Sequence, residues 1–235
     1  MKELEDFEHF PAILRQYQME YIGYAVRIAG IYNPLISCLK KQGKRQTMYD
    51  LCSGSGQPAQ SIYNKSGAFD KLILSDKYPE VIRLEKNNTN CEVIRTDALK
   101  TEFEKDTTYT MFNAFHHFSH QEQIVVLKKI SASGARAIFA EILEPTPLCF
   151  IKILIATIPG PLLLSPFIRP FSLLRLLMIP LNIITIATDG IISVFKSKSA
   201  KAYQKKFQSL NLPVKVLKMK SRFGSIIVIT VNTEQ

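Results

Sequence analysis

The order of apolar and polar positions divides the chain into four stretches. Residues 5–42 read as helical, because Phe10, Leu14, Tyr17, Tyr21, Tyr24 and Ile28 recur at steps of three and four, the spacing of one helix face. Asn33 and Pro34 then mark a break or a fresh helix start. Residues 47–143 alternate short apolar runs with amphipathic ones. The pattern predicts strands over 47–52, 71–75, 91–96, 108–114 and 135–142. Helices are predicted over 58–64, 79–87 and 119–131, with Pro79 suited to a first turn and Ser119 to a cap. Strand–helix alternation of this kind gives a parallel sheet covered on both faces. At the end of the chain, a basic helix over 199–209 precedes two strands, 214–220 and 225–231. Their connection is so short that they must form an antiparallel hairpin.

The third stretch, 147–195, breaks the pattern. Its charged residues are Lys152, Arg169, Arg175 and Asp189, and Pro159, Pro161, Pro166, Pro170 and Pro180 interrupt it. The uncharged run 153–168 is shorter than the roughly 20 apolar residues of a spanning helix, which argues against a clean transmembrane segment. Segments 151–158 and 173–179 are apolar nearly all round, a pattern that favours deep burial. So much Leu, Ile and Phe must be covered by the core, a lipophilic substrate, a membrane interface or a second copy of the chain. Asp189, within Thr188–Gly190, reads as a turn or cap residue, or as a group that orients a substrate.

Composition adds little until its distribution is considered. The 235 residues are 46% hydrophobic and 21% charged, with a net charge of +10. That length suits one α/β domain with a buried core. Between Lys196 and Arg222 there are nine Lys or Arg and no acid, which suits an anionic partner: lipid headgroups or, as the lesser expectation, nucleic acid. The opening residues carry Glu3, Glu5, Asp6 and Glu8, unlike the basic start of an export signal, so a cytoplasmic location is expected. Cys38, Cys52, Cys91 and Cys149 are scattered without metal or redox spacing and read as reduced thiols.

The chemistry concentrates at Asp50, Leu51, Cys52, Ser53, Gly54, Ser55 and Gly56, where an apolar strand ends in an acid and a small-residue turn leads into a helix. Glycines there let backbone approach a ligand closely, and helix amides favour an anionic group. Asp76 ends the next strand, 20 residues beyond Gly56, a spacing that suits ribose hydroxyls. Gly54, Gly56 and Ala59 equally match a dinucleotide fingerprint, so the loop alone leaves two cofactors open.

With its neighbours included, the pattern over about 47–143 and 213–231 resembles class I S-adenosylmethionine-dependent methyltransferases. That family opens on an acid followed by three alternate glycines. Here Asp50 is the acid, Gly54 and Gly56 are two of the glycines, and Cys52 replaces the first. The resemblance implies a Rossmann-like α/β sheet of seven strands, six parallel and one antiparallel, with N-terminal helices and an apolar helical insertion. It also implies S-adenosylmethionine as cofactor, held by Asp50, Cys52, Ser53, Gly54, Gly56, Asp76, Lys77, Asp97, Ala98, Asn113, Ala114 and Phe115. The segment 112–118 looks like the Leu-His-His variant of the family's fourth motif. It makes His116 and His117 candidate general bases, since imidazole titrates near neutrality. His116 and His120 lack a third ligand, so no metal is expected.

One domain is therefore expected over 1–235: a helical cap (1–46), a cofactor core (47–143), a lid or membrane-contact insertion (147–195), and a final helix and hairpin (199–231). The expected reaction is methyl transfer to a small lipophilic acceptor at the inner face of a membrane. Dimerisation through 147–195 is a further expectation. An RNA methyltransferase and a non-catalytic methyltransferase-like subunit remain as alternatives.

Overall fold

A computed structural model describes residues 2–85 and 90–233. After a short 3-10 turn at Leu4–Asp6 come α1 (Ala12–Ile28) and α2 (Asn33–Leu39). The core follows as β1 (Arg45–Leu51), α3 (Ala59–Ser66), β2 (Phe69–Asp76), β3 (Cys91–Arg95), β4 (Thr107–Phe112), α4 (His120–Ser133) and β5 (Arg136–Glu141). The insertion forms α5 (Pro147–Thr157), α6 (Pro159–Leu164), α7 (Leu173–Leu177) and α8 (Ile179–Lys196). The chain ends in α9 (Ala200–Gln208), β6 (Val214–Ser221) and β7 (Gly224–Val231).

The seven strands form one sheet in the order β3-β2-β1-β4-β5-β7-β6. Strands β1 to β5 run parallel, and β7 is antiparallel to both β5 and β6. Six strands therefore share one direction and β7 opposes them. The order turns back between β1 and β4. In a doubly wound sheet the carboxyl ends of strands at such a reversal open a crevice where ligands bind.

Each side of the sheet has its own core. On one side Met48, Leu72 and Leu74 pack with Leu35, Leu39 and Ile62 from α2 and α3. On the other, Met111, Phe139, Ile227 and Ile229 pack with Val126, Leu127 and Ile130 of α4 and with Tyr203 and Phe207 of α9. Strands β4, β5 and β7 have almost no polar side because helices cover both faces. Ser119 caps α4 by accepting from the Glu122 amide while the Glu122 carboxylate accepts from the Ser119 amide, a reciprocal capping box.

Three expectations are corrected. The predicted helix over 79–87 is a single 3-10 turn, Pro79–Val81, after which the chain is extended at Ile82; positions 86 and 87 lie outside the described residues. The Arg83 amide there donates to the Ser55 carbonyl, so the segment lies along the cofactor loop instead of coiling. The apolar face expected for α1 is only half right. Tyr17 and Tyr21 are buried, but Ile28 is exposed, and Arg15, Gln18 and Glu20 are buried in place of apolar residues. These polar groups find partners across the fold. Glu20 accepts from Arg175 of α7 at 2.6 and 3.1 Å, an ion pair that ties the insertion to α1.

The deep burial expected for 151–158 and 173–179 is also overturned. Ile151, Leu154, Ile155, Ile158, Leu173 and Leu177 are all exposed. Proline breaks at 159 and 161 split the first segment into α5 and α6, and the face of α8 that packs inward mixes polar and apolar residues, Asn182, Thr185, Asp189 and Ser193 with Ile179, Ile186 and Val194. Two helical stretches, Pro147–Phe167 and Ile179–Lys196, are long and apolar enough to cross a membrane by length and composition. The sequence reading against such a segment considered only the uninterrupted run.

Candidate active site

The loop after β1 is organised from beneath by Asp50. Its Oδ1 accepts from Thr110 Oγ1 on β4 at 2.7 Å, and its carbonyl accepts from Ser53 Oγ and Ser75 Oγ. Burial pushes its pKa up to about 7, against the lowering effect of the Thr110 and Ser53 hydrogen bonds. Asp50 does not line the cavity above it; it shapes the loop from behind. The backbone then turns through positive φ at Cys52 (56°), Gly54 (53°) and Gly56 (85°). At Gly56 a Cβ would meet Gln60 Nε2 at 2.5 Å and Leu74 Cδ1 at 3.2 Å, which makes glycine obligatory there. Cys52, in place of a glycine, holds the same left-handed conformation with a side chain, a strained arrangement for a non-glycine residue. Burial also drives the Cys52 thiol well above its usual range, so it is not a nucleophile at neutral pH.

Above the loop lies a cavity of about 1470 Å³. That exceeds the usual 300–1,000 Å³ of a single small-molecule site and leaves room for two reactants. Cys52, Ser53, Gly54, Asp76, Lys77, Asp97, Ala98, Asn113 and Ala114 line it. Asp76 Oδ2 accepts from the Gly54 amide at 2.8 Å and Oδ1 from the Tyr78 amide at 2.9 Å, so the loop and the end of β2 are held together by this carboxylate. Burial raises the Asp76 pKa, opposed by those two amides. Asp97 also caps locally, accepting from the Leu99 amide at 3.0 Å. Asn113 adopts φ 53°, a conformation asparagine tolerates, and turns the chain beneath the cavity.

Gly56, Phe115 and His116 do not line the cavity. Gly56 serves the turn. Phe115 is wholly buried among Phe139, Tyr203 and Phe207, so it is core and not a cofactor contact. His116 is buried with its Nδ1 2.6 Å from Glu141 Oε2, and Glu141 Oε1 accepts the Phe115 amide at 2.8 Å. The His116 Nε2 faces Glu3 at 3.9 Å and has no hydrogen-bond partner among the described residues. Glu3, which does line the cavity, covers this histidine.

His117 lies at the cavity wall within a cluster of acids from the start of the chain. Its Nδ1 is 3.2 Å from Asp6, and its Nε2 is 3.4 Å from Glu3 and 3.9 Å from Glu5. Burial opposes a charge on the ring, but the Asp6 hydrogen bond and the Glu3 and Glu5 charges outweigh it and push the pKa up to about 9. His117 is thus held as the cation of this acid cluster near neutral pH. Burial raises Glu5 to about 8, helped by the neighbouring acids and opposed by His117. Asp6 falls to about 2 despite burial, because it bonds His117 and faces Lys196.

Lys196, at the end of α8, reaches Glu3 Oε1 at 3.0 Å. Glu3, His116 and His117 place one ligand atom each within 4.8 Å of one another, a third partner that sequence reading lacked. The Lys196 ammonium already neutralises that carboxylate. His120 stands apart as the exposed first residue of α4.

Asp189 sits mid-helix in α8 and is not a turn residue. It accepts from the Leu4 amide at 2.6 Å, the Glu5 amide at 3.3 Å and Gln18 Nε2 at 2.8 Å, so it caps the N-terminal 3-10 turn from across the fold. Glu3, Glu5, Asp6, Gln18 and Glu141 are site residues that the sequence reading missed. The signal for Glu141 was available: one acid closing an otherwise apolar strand at the sheet's ligand-binding edge. Beside the loop, Gln18 Oε1, Gln57 Oε1 and Tyr78 OH are buried polar atoms with no hydrogen-bond partner among the described residues, on side chains that line the cavity. Such atoms are expected to meet a polar ligand.

The basic tract divides. Lys196 enters the acid cluster, Lys218 pairs with Glu144 at 2.8 Å, and Lys215 and Lys220 stand exposed on the edge strand β6. Lysines on an edge strand discourage pairing with other sheets.

No protein-family model matches the sequence, and no curated protein matches it. Solved structures do match in fold. A SAM-dependent methyltransferase from Aquifex aeolicus superposes with a TM-score of 0.54 at 12% identity, over 92% of this chain and 97% of that one. Human N-acetylserotonin methyltransferase in complex with SAM gives 0.57 at 15% identity, over 93% of this chain and 56% of that one. An O-methyltransferase from neocarzinostatin biosynthesis, solved with S-adenosyl-L-homocysteine and 1,4-dihydroxy-2-naphthoic acid, gives 0.51 at 10% identity, over 89% and 56%. The chain spans about half the length of the latter two. The seven-stranded sheet, its strand order and these superpositions define the chain as having the class I S-adenosylmethionine-dependent methyltransferase fold.

Proposed function

We propose that this protein transfers a methyl group from S-adenosylmethionine to a small lipophilic acceptor. The observation that carries this reading is the cavity, in which Gly54, Asp76, Asp97 and Asn113 line one two-reactant space at the carboxyl edge of the sheet. In this reading Asp76 takes the ribose hydroxyls, Asp97 and Ala98 the adenine, and the turn at Cys52–Gly54 the amino-acid end. The orphaned oxygens of Gln18, Gln57 and Tyr78 fit a polar ligand that supplies donors. When bound, the cofactor supplies an electrophilic methyl on a sulfonium leaving group, so alignment of the acceptor accounts for most of the acceleration.

The chain's own contribution is to position and deprotonate the acceptor. Apolar side chains of α1 and α5, among them Ile22, Val26, Ile153 and Ala156, line the part of the cavity available to an apolar acceptor. Glu5 lines the same space, held by Gln18 Nε2 at 3.1 Å, and is the group placed to take a proton from a hydroxyl or amine. Raised to about 8, Glu5 carries its proton at neutral pH and becomes free to accept one as pH rises through 8, so turnover is expected to rise over that range. His117, as imidazolium, holds the acidic segment closed over the site, while His116 and Glu141 brace the chain beneath it.

The test is transfer of labelled methyl from S-adenosylmethionine into the organic phase of a lipid extract. Incorporation is expected with the native protein, and a drop of about 100-fold with Glu5→Gln, at the lower end for general-base loss. Incorporation unchanged by Glu5→Gln would remove Glu5 from the mechanism. No incorporation by a protein that binds the cofactor would favour a non-catalytic methyltransferase-like role.

A further inference from the structure

The exposed apolar surface of the insertion and the mouth of the cavity are the same place. Helix α5 contributes Leu148 and Ile155 both to the cavity lining and to the exposed surface, where Ile155 is 64% exposed. The surface continues over α6 and the turn after it through Leu162, Leu163 and Phe167, then over α7 through Leu173, Leu174 and Leu177. A monomer in water rarely exposes a continuous apolar patch of this kind without a partner for it. The other side of the insertion is tied to the protein by polar contacts. Arg175 pairs with Glu20, Tyr21 OH donates to the Ala156 carbonyl, and Asp189 holds the N-terminal turn. The helices are therefore pinned with their apolar side outward.

Charge identifies the partner. The β6–β7 turn, with Arg222 and the exposed Phe223, sits against α5, where Lys152 Nζ donates to the Phe223 carbonyl at 2.8 Å. Arg222 and Phe223 also line the cavity, and Lys220 stands exposed beside them. Basic groups beside an outward apolar helical face, with an aromatic at the boundary, are the pattern of a segment lying in the headgroup layer of an anionic leaflet. A second copy of the chain would need apolar complementarity without that positive rim.

We infer that the α5–α7 face seats the protein on an anionic bilayer with the cavity mouth in the lipid, and that the acceptor is a membrane-resident lipid entering sideways between α5 and the β6–β7 turn. This deepens the proposed function and rests on it for the word acceptor; the docking itself does not depend on methyl transfer.

The chain has no tryptophan, so a single one introduced by substitution is an unambiguous depth reporter. Three proteins, Leu163→Trp, Ile155→Trp and Val125→Trp, would be mixed with phosphatidylcholine/phosphatidylglycerol vesicles carrying brominated acyl chains. Val125 is exposed on α4, outside the insertion. Quenching is expected at 163 and 155 and not at 125. In flotation, the native protein is expected to rise with these vesicles. Leu163→Asp combined with Leu177→Asp is expected to lower that fraction at least tenfold, while S-adenosylmethionine binding by calorimetry stays unchanged and so shows that the fold is intact. Vesicles of phosphatidylcholine alone are expected to bind several-fold less. The inference is overturned if the native protein does not float, if the Asp pair floats equally, or if 125 is quenched as strongly as 163. It is equally overturned if light scattering finds a dimer that the Asp pair splits, since a second copy would then cover the face. Failure of the native protein to bind S-adenosylmethionine would sink the proposed function while leaving the vesicle result standing.

Discussion

Strand β7 and helices α5 to α7 are both built chiefly from aliphatic residues, Ile and Val in the strand and Leu and Ile in the helices, yet they meet opposite fates. In β7, Ile229 is 0% exposed, between β5 and β6 with helices over both faces. In α6 and α7, Leu163 and Leu177 are 65% and 67% exposed. Hydrophobicity specifies that a residue leaves water if it can; it does not say what takes the water's place. In the sheet the chain supplies its own cover. In the insertion, polar anchors such as Arg175 and Asp189 claim the inward side and leave the apolar side without cover from the chain.

That contrast can be broken at its strongest point first. Phe139→Ala, in the middle of the sheet, is expected to destabilise by about 3–5 kcal/mol in chemical denaturation, whereas Leu163→Ala should change stability by no more than about 0.5 kcal/mol. Comparable losses at the two sites would mean that the insertion is part of the core. Nearly as large is the effect expected at the anchor. Glu20→Gln leaves Arg175 buried beside a neutral partner, and a loss of about 3 kcal/mol is expected. Replacing both residues by apolar ones should recover much of it. A single-site loss below about 1 kcal/mol would show that the insertion is not pinned there.

The acid–histidine cluster gives a pH signature. The folded pKa of His117 is raised to about 9, so its stabilising contribution is complete below about pH 6.5 and is lost as pH rises through 9. Glu5, raised from 4.5 to about 8, also binds its proton more tightly in the folded state, so its contribution is complete below about pH 4.5 and is lost as pH rises through 8. Asp6 has the opposite sign. Its folded pKa is lowered, so its contribution is present above about pH 4 and is lost as pH falls through 2. Stability is therefore expected to fall by on the order of 2 kcal/mol between pH 6.5 and 9, and His117→Asn should flatten that slope. A flat native profile would show that the N-terminal segment is not held as described. The smallest expected effect is at the α4 cap, where Ser119→Ala should cost about 1 kcal/mol, read from the same denaturation curves.

The central strands were legible because each needs only a local apolar run, and the turn at Gly54 and Gly56 because the required backbone leaves a mark in residue type. Asp76 followed from its place at a strand end, and Asp97 from the family resemblance. What was hidden depends on distant partners. Glu3, Glu5 and Asp6 lie more than a hundred residues from His117 in sequence, and their composition read only as a start unlike an export signal. Asp189 looked like a turn because Gly190 follows it, but its role comes from the Leu4 and Glu5 amides. His117 looked like a base because its free pKa is near neutral, but the acids around it push that pKa up and tie the ring into an ion-pair cluster. The segment after Pro79 carries helix-like spacing, but the pull of the Ser55 carbonyl on the Arg83 amide keeps it extended.

Calorimetric titration of the native protein with S-adenosylmethionine and, separately, with NADH tests the central claim most directly, because the glycine loop alone fits both cofactors. One S-adenosylmethionine per chain is expected to bind, with Kd between about 1 μM and 1 mM, the range common for enzyme substrates. Asp76→Ala should weaken it at least tenfold, and NADH should give no heat of binding. Binding of NADH in preference, or S-adenosylmethionine affinity untouched by Asp76→Ala, would contradict the assignment of this cavity.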